Sequence, residues 1–328
     1  MMDKQAFRIV FMGTPDFAVR ILDELIQQAF NVVGVITAPD KPAGRGQQIN
    51  ESPVKKYAAE KGLNILQPTN LKDETFIQAL SNLKADLFVV VAFRMLPEVV
   101  WAMPPKGTIN LHASILPNYR GAAPINWAVI NGDTQTGVTT FFIEKEIDTG
   151  KVIERSYVTI GENESVGELH DRLMELGAEV SASTVQKIMD GTAVGIDQLE
   201  LAEASTSSAT KKELKSAPKI FKPTCEIAWN QSVATIHDFV RGLSPYPAAW
   251  TTLINSTKNE TKTFKIIKAI KTELPVSDTK TIKETKEGLL FPSGDYYLLV
   301  SELQPEGKRR MNHREFLAGN KIEEWKLV

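Results

Sequence analysis

The sequence predicts a doubly wound, mostly parallel α/β sheet followed by a small β-barrel, two domains in one chain. Three observations carry this reading. The chain has 328 residues, more than one hydrophobic core usually organises when domains commonly hold about 100 to 200 residues. Its first half alternates continuous apolar runs with helical patterns, which implies right-handed βαβ crossovers. Its last third strings together short strand-like runs separated by turns, as small barrels do.

Taken in order, FRIVFM at 7–12 is apolar and rich in β-branched and aromatic residues, and GTPD separates it from the apolar-periodic FAVRILDELIQQAF. That reads as strand, turn, helix, with Asp16 as the helix cap. GTPD lacks the GxGxxG of dinucleotide folds, so a nicotinamide cofactor is not indicated. The runs at 32–37 and 86–92 are continuous instead of alternating, as expected of strands buried on both faces of a parallel sheet. Helical patterns lie between them at about 53–62 and 72–83. Further strands are expected at 107–111, 136–143 and 151–159, then a long helix from Ser165 to Met189 with Glu168 at capping-box spacing from Ser165.

EASTSSATKKELKSAP at 203–218 mixes Ser, Thr, Ala and charge without a period. The linker is placed at 206–218, between a first domain at 1–205 and a second at 219–328. Beyond it come the helix-like SVATIHDFVRGL and the strand candidates AAWTTLI, KTFKIIKAI, GLLFPS and DYYLLVSEL, enough for an OB-like barrel.

With 42% hydrophobic and 24% charged residues, the composition is that of an ordinary globular protein, which excludes disorder as the main state. The single cysteine, Cys225, has no disulfide partner and no Cys or His at zinc-ligand spacing, so no metal is expected and a reducing compartment fits. No secretory signal pattern and no run near the roughly 18 apolar residues of a membrane span are present, so a cytoplasmic location without membrane partners is expected. Net charge is uneven. Residues 1–205 carry 18 basic and 26 acidic side chains (net −8), while 206–328 carry 20 and 14 (net +6). The second part suits a polyanion, although a solvated lysine-rich surface fits this count equally well.

The stretch GTINLHASILPNYRG, 107–121, is the most informative chemically. If GTINL is a strand, Asn110 and His112 share a face at its carboxyl end, where doubly wound sheets bind ligands. An amide donor beside an imidazole suits acyl transfer, which needs a donor for the developing oxyanion and a base for the attacking amine. For one N-x-H alone, a structural histidine satisfied by its neighbour is the commoner outcome. Asp148, in EIDTG after the strand TGVTTFFI, is placed to orient His112; a turn-forming aspartate before Gly150 needs no catalysis at all. The loop APDKPAGRGQQ at 38–48 carries Lys41 and Arg45 and suits a mobile arm touching phosphate or base, or simply a solvated loop. His170, His237 and His313 lack partners at informative spacing and read as structural or surface residues.

Asn110, His112 and Asp148 match the Asn, the His two residues on and the distant Asp shared by folate-dependent formyltransferases. The block HASILPNYRGAAPINWAVINGDTQTGVTTFFIEKEIDTG, His112 to Gly150, resembles that of methionyl-tRNA formyltransferases almost throughout. The likeness continues in FMGTPDFAV, KPAGRG, SPVK, APKI, RGLSPYPAAW and GKRRMNHREFLAG, and so covers both domains. It implies a Rossmann-like catalytic domain, then an OB-like tRNA-binding domain. It also implies transfer of a formyl group from 10-formyltetrahydrofolate to the amino group of initiator methionyl-tRNA, for translation initiation.

In the roles that the resemblance implies, His112 takes the amine proton or stabilises the oxyanion as an imidazolium, Asn110 donates to the oxyanion, and Asp148 holds the histidine. Ser114, Ile115, Leu116 and Pro117 line the folate site, and Arg45 with Lys41 contacts the acceptor arm of the tRNA. Two stretches depart from the family pattern. AFRMLP puts Phe93 and Arg94 where relatives read Tyr-Gly, and KIFKPTCEIAW lacks the acidic residue and glycine that usually follow KI. Rival readings are a formyltransferase acting on a small amine (glycinamide ribonucleotide or an amino sugar nucleotide), a folate-deformylating hydrolase, and a noncatalytic RNA-binding protein. The basic second domain argues against the small amine, and an intact triad against the noncatalytic protein.

Overall fold

The computed structural model describes residues 3–43, 48–204 and 213–328. They form two compact units, one of residues 1–121, 137–158 and 171–216, the other of 122–136, 159–170 and 217–328.

Up to residue 204 the order is β1 (Arg8–Gly13), α1 (Asp16–Gln27), β2 (Asn31–Ile36), β3 (Lys41–Ala43), β4 (Gln48–Asn50), α2 (Pro53–Glu60), β5 (Ile65–Leu66), α3 (Glu74–Asn82), β6 (Leu87–Val91), α4 (Glu98–Trp101), β7 (Thr108–His112), β8 (Arg120–Gly121), α5 (Pro124–Ile130), β9 (Gln135–Phe142), β10 (Val152–Thr159), α6 (Val166–Met189) and α7 (Gln198–Ala204). The main sheet of the first unit runs β10-β9-β7-β6-β1-β2-β5. Its stretch from β7 to β5 is parallel, and β9 runs antiparallel to β7. All five residues of β6 are buried, which is why its run is apolar without alternation. Val10, Met12, Phe88 and Val90 of the sheet pack with Phe76 and Leu80 of α3. Strands β2 and β5 lie on one side of β1 and β6 and β7 on the other, so the order reverses between β1 and β6. Ligand sites of such sheets lie outside the carboxyl ends of the strands near that reversal.

Local signals set most helix starts. Ser52 accepts from the Lys55 N–H at 3.0 Å and Asp73 from the Phe76 N–H at 3.1 Å. Ser165 and Glu168 form the reciprocal capping box, with bonds of 2.8 and 3.3 Å. Asp16 is not a cap: Pro15 holds that position without a side-chain bond, and Asp16 opens the first turn. There its charge faces the positive end of the helix dipole.

The second unit holds β11 (Ser216–Ala217) in part, then α8 (Val233–Leu243), β12 (Ala249–Asn255), β13 (Glu260–Pro275), β14 (Lys283–Glu284), β15 (Leu289–Pro292), β16 (Tyr296–Pro305), β17 (Met311–Asn312), α9 (His313–Leu317) and β18 (Trp325–Leu327). Its sheet, β14-β15-β16-β13-β12-β18, is antiparallel in the pairings of β12, β13, β15 and β16. Register shifts along the 16 residues of β13 bend the sheet. A bridge between Thr281 and Lys326 brings its two ends together, giving the curled half-barrel. Ile236, Val240 and Leu243 of the amphipathic α8 fill the curl with Phe264, Leu298, Val300 and Trp325.

The buried Arg241 of α8 donates to the carbonyls of Gly161 and Glu164 at 3.2 and 3.1 Å, and Asn126 of α5 donates to Gly242 O at 2.8 Å. These bonds tie 122–136 and 159–170 to α8, which is why they group with the second unit. Among the described residues no helix is long and apolar enough to cross a membrane.

Candidate active site

Strand β7 places Asn110 and His112 two residues apart, so their side chains leave the same face. His112, the last residue of the strand, is buried at 6% exposure, and its Nε2 lies 2.7 Å from Tyr119 O. A carbonyl only accepts, so Nε2 carries the proton and the neutral ring presents a lone pair at Nδ1. Nδ1 lies 3.9 Å from Asp148 Oδ2. That distance is beyond a hydrogen bond but close for an ion pair once the ring is protonated. The half-buried Asn110 makes no side-chain hydrogen bond among the described residues.

Asp148 reaches His112 by an indirect route. Because β9 is antiparallel to β7, its last residue, Phe142, pairs with Ile109 at the amino end of β7. Residues 143–148 must therefore fold back along the sheet. One side chain holds that return. Gln198, 2% exposed, donates to Asp148 O at 2.9 Å and to Gly150 O at 2.8 Å, and its Oε1 accepts from Arg120 Nε and Nη2 at 3.1 and 2.6 Å. The neighbouring Gly121 N–H donates to Asp148 Oδ2 at 2.9 Å, which fixes the carboxylate itself. Ala92, Tyr119 and Asp148 all have positive φ, at 46°, 62° and 55°. Such backbone is costly for residues with a Cβ and collects where surroundings over-determine a functional geometry.

Gly150 shows how little room this return has, since a Cβ there would lie 1.8 Å from Phe142 O. We expect Gly150→Ala to lose about 3 kcal/mol of stability, because backbone and not a flexible side chain must move. Urea unfolding measures this, and an unchanged midpoint would show that the return is soft.

The segment after β7 is pinned from below. Thr139 Oγ1 donates to Ser114 O at 2.6 Å and accepts from Leu116 N at 3.2 Å, while Ser114 Oγ donates to Asn118 O at 2.7 Å. Leu116 packs with Phe141 and Val152 in a core cluster, and Pro117 is buried. Of the four residues Ser114 to Pro117, Ile115 alone is half-exposed. Arg94 caps a neighbouring loop by donating to the carbonyls of Thr69, at 2.8 Å, and Pro68.

Lys41 is exposed on β3, and Arg45 lies outside the described residues. Asp40, before β3, and Glu51, after β4, both bond to Lys55, Glu51 at 2.7 Å. Bonding to Lys55, then to Gln67, holds the Asp40 carboxyl below its ordinary value.

Gln198, Arg120, Thr139 and the Tyr119 carbonyl carry no sign of their roles in the sequence. Their bonds to the site join residues up to 78 positions apart, and no local spacing announces them.

The family described as formyl transferase matches residues 7–185, and the formyl transferase C-terminal domain matches 219–321. The methionyl-tRNA formyltransferase of Bacteroides thetaiotaomicron is 52% identical over 325 residues, covering 98% of each chain. That of Bacteroides fragilis is 53% identical over 322 residues, covering 97% of this chain and 96% of the relative. A crystal structure of an N-formyltransferase from Helicobacter canadensis, in complex with folinic acid and dTDP-3-aminofucose, is 18% identical and shares the fold with a TM-score of 0.64, covering 93% of this chain and 100% of that one. With matches along both of its parts, the chain belongs to the formyl transferase family.

Proposed function

We propose that this protein transfers a formyl group from 10-formyltetrahydrofolate to the amino group of methionine on initiator tRNA, in the cytoplasm, for translation initiation. The observation that carries the reading is identity at about half of all positions, along both parts of the chain, with proteins named methionyl-tRNA formyltransferase. The N-formyltransferase crystallised with an amino sugar nucleotide is 18% identical, a likeness of fold. A folate donor also suits the pinned segment of Ser114, Ile115, Leu116 and Pro117 beside His112, a rigid wall for a flat ring.

In this mechanism the folate supplies the formyl carbon and the methionyl amine attacks it. Asn110 Nδ2 donates to the formyl oxygen as negative charge develops there. His112 Nδ1 takes the proton that the amine loses, and the Asp148 carboxylate 3.9 Å away stabilises the resulting imidazolium. The C–N bond to the folate nitrogen breaks, and His112 returns the proton to that nitrogen. The Nε2 bond to the Tyr119 carbonyl keeps the ring in place throughout.

The test is a panel of acceptors with radiolabelled formyl donor: initiator methionyl-tRNA, glycinamide ribonucleotide and an amino sugar nucleotide. Label should enter the tRNA; faster transfer to either small amine would overturn the reading. Within it, Arg45 and Lys41 contact the acceptor arm. Arg45→Ala should raise KM for tRNA roughly tenfold, the worth of one charge-assisted hydrogen bond, and leave folate binding unchanged. Equal losses in a folate-binding titration would contradict that assignment.

A further inference from the structure

We infer that a cleft in the second unit receives one unpaired nucleotide of the tRNA, with its base stacked on Tyr246 and a flanking phosphate held by Lys222 and Lys265. The inference rests on the tRNA reading above and adds a site to it. The cleft has a volume of about 340 Å³, and its walls include Lys222, Tyr246, Trp250, Thr263, Lys265 and Gln304.

Tyr246 is 80% exposed, although it carries a large aromatic ring. Pro245 and Pro247 flank it, each with a fixed φ, so the ring stands on a stiff turn that leads into β12. Trp250 is half-buried, and its indole N–H donates to Lys222 O at 2.8 Å, which fixes it as a wall. Lys265 pairs with Trp250 across the sheet, and Lys222 lines the same cleft as Tyr246; close by in sequence, Lys219 sits 5.4 Å over the exposed Phe221. Aromatic faces interleaved with ammonium groups bind single-stranded nucleic acid, because every base has a face to stack and every nucleotide a phosphate to neutralise.

Charge points the same way, since residues 206–328 carry a net +6. Among the described residues lining the cleft Glu306 alone is acidic, and its carboxylate accepts from the Thr263 N–H at 3.4 Å, so a phosphate is expected on the lysine side. A duplex cannot insert a base here without opening, so the occupant is an unpaired nucleotide.

The experiment measures equilibrium binding of initiator methionyl-tRNA to the full chain, with a short single-stranded oligoribonucleotide, an RNA duplex and an acidic peptide as competitors. Tyr246→Ala should weaken tRNA binding roughly 10- to 100-fold, the range for losing one stacked base. Tyr246→Phe, which keeps the ring, should restore the affinity. Lys265→Gln should lower the slope of log affinity against log salt by about one. The single strand should compete and the duplex should not.

Wild-type affinity in Tyr246→Ala, competition by the duplex as good as by the single strand, or competition by the peptide alone would each overturn the cleft. Because Tyr246 is exposed, loss of folding does not confuse the result. A wild type that formylates and binds tRNA while Tyr246→Ala binds equally well refutes the cleft alone. A wild type that does neither refutes the tRNA reading, and the cleft with it.

Discussion

His112→Ala should lower kcat by roughly 10²- to 10⁴-fold, the usual worth of a positioned general base. The geometry makes the loss specific. Nε2 is bonded to the Tyr119 carbonyl, so the ring has one nitrogen left for chemistry, and that nitrogen faces Asp148. Asn110→Ala should cost about 10²- to 10³-fold, as removal of a single oxyanion donor does. Asn110 is half-buried with no side-chain hydrogen bond among the described residues, so its truncation breaks no hydrogen bond there. Rapid-quench measurement of formyl transfer on variants with wild-type unfolding curves separates chemistry from folding. Turnover within a fewfold of wild type in either variant would remove that residue from the mechanism.

Gln198→Ala should have the next largest effect, and on two readouts. Truncation leaves the carbonyls of Asp148 and Gly150 without their donor and the Arg120 guanidinium without its acceptor, and each unsatisfied buried group costs about 1 to 3 kcal/mol. We expect a stability loss of about 3 kcal/mol. We also expect kcat to fall at least tenfold while KM for folate changes little, because the side chain positions Asp148 and does not line the segment at 114–117. Gln198→Glu tells positioning from bulk: it keeps the acceptor for Arg120 but cannot donate to either carbonyl. It should recover part of the stability and little of kcat. Full recovery of kcat in Gln198→Glu would show that the Arg120 bond alone matters.

The strands of the parallel sheet were readable because each leaves a physical trace in a short window. Val89, Val90 and Val91 are buried on both sides of the sheet, so their run is continuous. Asn110 and His112 were equally readable, since two positions in one strand share a face whatever surrounds them. The two-residue β5 leaves too little pattern to read, as do β14 and β18. The capping box at Ser165 follows from local chemistry, whereas the expected cap at Asp16 failed because Pro15 takes the cap position and shifts the aspartate into the first turn.

The approach of Asp148 to His112 was legible least directly. A carboxylate after a strand suggests the carboxyl end of the sheet, but β9 runs the other way. The loop comes back because Gln198 and Gly121 hold it, through bonds across 48 and 27 positions. Long-range partners of that kind are chosen by the fold, so neither residue type nor spacing marks them in advance. The same reason hides the grouping of 122–136 with α8, which depends on Asn126 meeting Gly242 116 positions away.

On this mechanism, formyl transfer takes place at the carboxyl end of β7, between Asn110 and His112. A crystal structure with a stable analogue of 10-formyltetrahydrofolate tests it most directly. The analogue's formyl oxygen should lie about 3 Å from Asn110 Nδ2, within hydrogen-bond reach, with the ring against the segment from Ser114 to Pro117 and the formyl carbon open to an amine beside His112 Nδ1. An analogue bound with its formyl group turned away from Asn110 and His112, or seated on another part of the chain, would contradict it.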